Sequence, residues 1–149
     1  GPKIIEFNCR FGDPETQVVL ELLQTPLSTL LWGAAAGDLS ALPPLEWRDG
    51  SAVTVVIASE NYPDTPVTGD IVTGAHADGV LHAGTARDAS GNLVSSGGRG
   101  LSCTAAGDTL QAARDAAYAL VAGVELRGAH YRTDIAAKAV AGEISVPRR

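Results

Sequence analysis

From Ile5 the chain alternates strictly: Ile5, Phe7, Cys9 and Phe11 fall on one side, Glu6, Asn8 and Arg10 on the other. A period of two predicts a half-buried strand over residues 3–11, with partner strands to satisfy its backbone. Gly12-Asp13-Pro14-Glu15 then reads as a stop followed by a helix start. Asp13 suits the cap, Pro14 the first turn, and Glu15 the positive helix end. This helix is expected to run to about Gln24. Thr25-Pro26 repeats the signal for a second helix to about Ala36, which Gly37 ends.

Beyond the Leu42-Pro43-Pro44 connector the period turns extended. Residues 51–59 are nearly all apolar and rich in β-branched side chains, as in a central strand. A loop at residues 62–66 and a short strand at 70–73 follow. Residues 80–86 and 93–96 are expected to form a hairpin joined by residues 88–92. After Gly97-Gly98-Arg99-Gly100 comes a strand over 101–105. Asp108-Thr109-Leu110-Gln111 then reads as a capping box that opens a long helix to about Val124. Leu110, Ala113, Ala117, Leu120, Val121 and Val124 form its apolar stripe. The order predicts an α+β fold, helices first and then an antiparallel sheet carrying one long helix.

Composition narrows the function classes. Hydrophobic residues make up 45% and charged residues 19%, which excludes a disordered chain. Seventeen Asp and Glu face eleven Lys and Arg, a net charge of −6 with no basic run, which argues against nucleic acid as a partner. No apolar stretch reaches the roughly 18 residues of a membrane span. Two cysteines, Cys9 and Cys103, make neither a disulfide framework nor a metal motif and fit a reducing cytoplasm. Both are expected to be buried small hydrophobes, and Trp47 and Tyr118 to belong to the core. Aromatics are only 5%, so Ala, Val, Leu and Ile must build that core.

The sharpest chemical feature is Glu6-x-Asn8-x-Arg10. On a strand, the Glu6 carboxylate and the Asn8 amide oxygen stand about 7 Å apart on one face. Both are hard donors suited to Mg²⁺ that also takes phosphate oxygens. Arg10 adds a planar fork for phosphate or carboxylate. A solvated polar strand face explains the same spacing. Gly97-Gly98-Arg99 is not a phosphate loop of the Gly-Lys-Ser/Thr kind. It reads equally as a small anion nest with Arg99 reaching a substrate or as a tight turn. His82 reads as a structural, hydrogen-bonded histidine. His76 and His130 lack metal-ligand spacing, and Asp13 and Glu15 are explained as helix-start residues.

The run Glu6-Phe7-Asn8-Cys9-Arg10-Phe11-Gly12-Asp13-Pro14-Glu15-Thr16-Gln17 resembles the signature of the phosphoribosylamine–glycine ligases (glycinamide ribonucleotide synthetases), members of the ATP-grasp superfamily. Tyr62-Pro63, His82-Ala83-Gly84-Thr85, Gly97-Gly98-Arg99, the Ala-rich helix with Tyr118, and Tyr131-Arg132-Thr133-Asp134-Ile135 agree with the family in order. Cys9 stands where the family usually has Val, Gly100 where Val is typical, and Ala136 where Gly is usual. The resemblance implies metal ligation by Glu6 and Asn8 with Mg²⁺ or Mn²⁺, and ATP, glycine and 5-phosphoribosylamine as substrates. It also implies an electrostatic catalytic role for Arg10 and substrate contact by Gly98 and Arg99.

The same resemblance places the chain at the C-terminal portion of a cytoplasmic purine-biosynthetic ligase. Residues 1–24 would be the last strand and helix of the ATP-grasp domain, and residues 25–149 the C-terminal domain. The family's glycine loop and phosphate-binding lysines have no counterpart, since Lys3 and Lys138 are the only lysines. The isolated chain is therefore expected to be inactive, with the N-terminal and ATP-grasp domains as its missing partners. Its first strand is expected to pair with a second copy. Two other readings remain: a non-catalytic binding module on the same scaffold, and a related ATP-grasp carboxylase, against which the Gly-Asp-Pro-Glu continuation argues.

Overall fold

The computed structural model describes residues 3–144. Gly1-Pro2 and the closing Pro147-Arg148-Arg149 lie outside the described residues. Two helices come first, α1 (Glu15–Leu22) and α2 (Leu27–Ala36), followed by β1 (Ser51–Ala58). Four short strands follow: β2 (Val72–Thr73), β3 (Val80–His82), β4 (Thr85–Arg87) and β5 (Leu93–Ser95). The chain continues through β6 (Arg99–Gly107), α3 (Leu110–Ala122), β7 (Glu125–Leu126) and α4 (Ala137–Val140). The α+β class expected from the pattern holds.

The central sheet has the order β1-β6-β3 and is antiparallel throughout, so β1, expected as a central strand, lies at an edge and β6 takes the centre. Its register sets Val53 opposite Ala105, Val55 opposite Cys103 and Ile57 opposite Leu101. These side chains share one face, and α3 covers them with Ala113, Ala117 and Val121. Alanine at 113 and 117 lets the helix backbone approach the sheet closely, so both residues are fully buried with Leu101 and Cys103. The opposite face is polar at its centre. Thr54 and Thr104 share a 2.7 Å hydroxyl hydrogen bond there, and Ser102 and Thr104 are buried. The α1 helix packs over this face, and Thr16, Gln17 and Leu20 line a cavity there with Leu81 and Thr104.

Several expectations need correction. Residues 80–86 are not one arm of a hairpin. The run divides at Ala83-Gly84, so β3 joins the central sheet while β4 pairs with β5 in a separate two-stranded ladder. The division is fixed by backbone bonds: Ala83 N–H donates to Gly100 O at 3.0 Å and Gly84 N–H to Arg99 O at 2.9 Å. A third small ladder joins β2 to β7. The central strand β6 extends through Gly107, beyond the expected 101–105, and this moves the helix cap from Asp108 to Thr109. Thr109 Oγ1 accepts from Ala112 N–H at 3.1 Å.

The largest difference lies at the start. Residues 3–8 make no ladder among the described residues, and Ile5 and Phe7 are 96% and 82% exposed. Alternation prepares a strand, but only neighbouring strands can bury one side of it. Cys9 is exposed for the same reason, contrary to expectation, whereas Cys103 is buried as expected. Burial pushes the Cys103 thiol up to about 11. Trp47 is half-exposed rather than core, tied to Leu23 by a backbone bridge. No described helix is long and apolar enough to cross a membrane.

Candidate functional site

Glu6, Asn8 and Arg10 form one connected chain of side chains. Asn8 Nδ2 donates to Glu6 Oε1 at 3.0 Å, and Arg10 Nη1 donates to Asn8 Oδ1. Spacing by two places the three groups on one side of an extended backbone. The segment thus presents two hard oxygen donors with a guanidinium bonded to one of them, all in solvent. Among the described residues no cluster of three or more His, Cys, Asp or Glu could cage a metal. A single carboxylate beside an amide oxygen suits Mg²⁺ or Mn²⁺ completed by phosphate and water, so the donor set fits such an ion.

Three of the motif segments meet at one corner of the sheet. Ser59, at the end of β1, is 1% exposed. Its N–H donates to Gly98 O at 2.9 Å and its hydroxyl to Gly97 O at 2.7 Å, while Tyr62 N–H returns to Ser59 O at 3.2 Å. Gly84 lies against the same turn, and a Cβ there would come within 2.7 Å of Arg99 O and 3.0 Å of Gly97 Cα. At Gly98 a Cβ would fall 2.4 Å from Tyr62 Cδ2. Glycine at 84 and 98 is therefore required by close approach to backbone and to an aromatic ring. Tyr62-Pro63, His82-Ala83-Gly84-Thr85 and Gly97-Gly98-Arg99 are parts of one tightly packed crossing.

Arg99 leaves this crossing toward α1. Its Nη1 donates to Asp13 O at 2.8 Å, and its Nη2 lies 3.4 Å from Asp13 Oδ2. The other Asp13 oxygen accepts from Gln17 Nε2 at 2.8 Å. Asp13 was expected as a helix cap, but the helix begins with Pro14 at the cap position and no side-chain cap bond. The carboxylate is used for Gln17 and Arg99 instead. Gln17 Oε1 is buried without a hydrogen-bond partner among the described residues.

His82 is hydrogen-bonded at both ring nitrogens. His82 Nε2–H donates to Ala75 O at 3.1 Å, which leaves Nδ1 to accept from Thr85 Oγ1 at 3.1 Å. His130 contributes its backbone, paired with Ala58. Tyr118 is half-buried and clamps the following segment: its hydroxyl donates to Arg132 O at 2.7 Å and accepts from Ile135 N–H at 3.1 Å. Arg114 sits 4.7 Å from the Tyr118 ring centre and donates to Ile135 O and Thr133 O. Arg132 holds the Asp134 carboxyl below the usual carboxylate range through paired hydrogen bonds.

Two features escaped the sequence pattern. Ser59 carries the Gly97-Gly98 turn, and its only signal is a hydroxyl at the end of an apolar run. Arg127 forks onto Asp70 at 2.9 and 3.0 Å and also reaches Glu60 at 3.3 Å. That pairing raises the Arg127 pKa and joins segments far apart in sequence.

The model of the phosphoribosylglycinamide synthetase C domain matches residues 52–138. The phosphoribosylamine–glycine ligase of Mycobacterium tuberculosis is 56% identical over 146 residues, covering 98% of this chain and 35% of the relative. That of Streptomyces coelicolor is 57% identical over 148 residues, covering 93% of this chain and 35% of the relative. The crystal structure of the phosphoribosylamine–glycine ligase from Thermotoga maritima superposes with a TM-score of 0.79 at 39% identity, over 90% of this chain and 33% of that one. The chain thus spans about a third of the length of the relatives it matches. With a family model that covers most of the central sheet and α3, and with relatives more than half identical, the chain belongs to the phosphoribosylglycinamide synthetase C-domain family.

Proposed function

We propose that this chain is the C-terminal portion of a ligase that joins 5-phosphoribosylamine to glycine at the expense of ATP, in purine biosynthesis. The observation that carries the reading is the 56% identity, over 98% of the chain, to ligases of that name. In this reading the γ-phosphoryl group of ATP passes to the glycine carboxylate, releasing ADP. The amine of 5-phosphoribosylamine then attacks the acyl carbon, and phosphate leaves with the formation of glycinamide ribonucleotide. Residues 1–24 close the ATP-grasp domain and residues 25–149 form the C domain.

Glu6 and Asn8 would hold Mg²⁺ or Mn²⁺ together with ATP phosphate oxygens. When bound, the ion neutralises charge on the transferring phosphoryl group. Arg10 keeps a positive charge bonded to Asn8 Oδ1, where charge develops during the transfer. Arg99 meets this segment at Asp13, to which its guanidinium donates, and Gly98 precedes Arg99 in the turn that Ser59 holds.

The test uses a full-length ligase carrying this chain as its C-terminal part. Glu6→Gln and Arg10→Ala should each reduce glycine-dependent ADP formation by at least about tenfold. Added Mg²⁺ or Mn²⁺ should partly rescue Glu6→Gln but not Arg10→Ala. Unchanged kinetics in either variant would reject the assigned role. The 149-residue chain alone, with no phosphate-loop lysine, should form no ADP. Turnover by the isolated chain would show that the site is complete without the rest of the ligase.

A further inference from the structure

Arg99 is the junction of two parts of the molecule that the sequence separates by more than eighty residues. On one side is the crossing of Tyr62, Gly84, Gly97 and Gly98, packed so tightly that a methyl group at 84 or 98 would collide. On the other is Asp13, three residues after Arg10 and two before α1. Residues 3–8 make no ladder among the described residues, and packing of α1 and the Arg99 contacts relate this segment to the sheet.

We propose that Arg99 is a positioning residue: it locks Asp13, and through it the Glu6-Asn8-Arg10 segment, to the glycine crossing. The inference rests on the ligase reading above. Both terminal nitrogens of the guanidinium face Asp13. Nη1 holds the Asp13 backbone carbonyl, which fixes the chain path, and Nη2 faces the Asp13 carboxylate. That carboxylate in turn holds Gln17 in the first turns of α1. An exposed ion pair by itself contributes little. A bond to a backbone oxygen adds direction, and the rigid crossing behind Arg99 supplies a fixed anchor. The close approach at Gly84 and Gly98 thereby acquires a purpose: it sets where the donor-bearing segment sits. A displacement of about 1 Å at such a segment is enough to slow a positioned reaction strongly.

Two measurements test the latch. In the 149-residue chain, Arg99→Gln should speed hydrogen exchange of the α1 amides by about tenfold while α3 amides keep their protection. In the full-length ligase, Arg99→Gln should lower kcat by about tenfold and raise the Mg²⁺ concentration needed for half-maximal rate, while Asp13→Asn, which keeps the backbone carbonyl that Nη1 holds, should have a smaller effect. The KM values for glycine and 5-phosphoribosylamine should stay within about twofold, and the double variant should be no worse than the poorer single one. A KM increase confined to Arg99→Gln would overturn the proposal in favour of direct substrate contact. Unchanged α1 exchange in Arg99→Gln, or an Arg99→Gln enzyme with normal kcat, would also overturn it. If the unsubstituted full-length protein makes no ADP from these substrates, the ligase reading fails, and the exchange experiment still decides whether Arg99 locks Asp13 to the crossing.

Discussion

Single residues here are constrained more by approach than by chemistry. Gly84 faces backbone on two sides, so Gly84→Ala has to push apart the turn that Ser59 holds. Overpacking of this kind costs about 1–3 kcal/mol, which denaturant unfolding of the variant should show as a lower midpoint. The two cysteines make a second residue-scale contrast. Cys9 is exposed, and Cys103 is fully buried with its pKa pushed up to about 11. A thiol reagent at pH 8 should therefore titrate one thiol in the native chain and two after unfolding; two fast thiols would refute the placement of Cys103. The sign of the pH effect follows. The folded state keeps the Cys103 proton above the pH at which the unfolded chain releases it. Cys103 accordingly opposes folding as pH rises from the ordinary thiol range toward 11, and imposes nothing below that range.

At the scale of elements, the helices divide into two kinds. Among them α3 has both a side-chain cap and a buried stripe, so its formation is supported locally and by packing. Thr109→Ala removes the acceptor for Ala112 N–H and should cost about 0.5–2 kcal/mol, read as a shift in the unfolding midpoint. Asp108→Ala should cost less, since Asp108 is not the cap; equal losses would return the cap to Asp108. The first two helices have no side-chain cap and begin after proline. The α1 helix is held by the polar face of the sheet and by Asp13. Only Gly33 is buried in α2, whose Leu31 and Trp32 remain largely exposed.

For the whole molecule, the exposed segment of residues 3–11 is the feature with consequences in solution. Its alternating apolar side chains, Ile5 and Phe7 above all, and its unpaired backbone make a ready template for another extended chain. The isolated 149-residue chain should self-associate at concentrations of tens of micromolar, an order-of-magnitude expectation for a short unpaired strand. Light scattering after size exclusion would show it, and Phe7→Lys should restore the monomer. A wild-type chain that stays monomeric throughout would show that this segment does not seek a partner strand.

The sequence by itself determined the class of the fold, the presence of a strand within 51–59 but not its place at the sheet's edge, the long capped helix and its alanine stripe. These features are local: each rests on periodicity, β-branching or a cap that a few neighbouring residues carry. It also contained the Glu6-Asn8-Arg10 spacing and the motif residues that mark the family. Only the tertiary structure decided how the motifs are used. The division of residues 80–86 between two sheets depends on bonds from Ala83 and Gly84 to Arg99 and Gly100, which no local pattern encodes. The exposure of Cys9 depends on the absence of a ladder beside it, and alternation cannot report a neighbour. The pairing of Arg99 with Asp13 depends on a glycine crossing that brings distant segments within contact. Short-range preferences are written in neighbouring residues, whereas close approach between distant backbones exists only once the chain has folded.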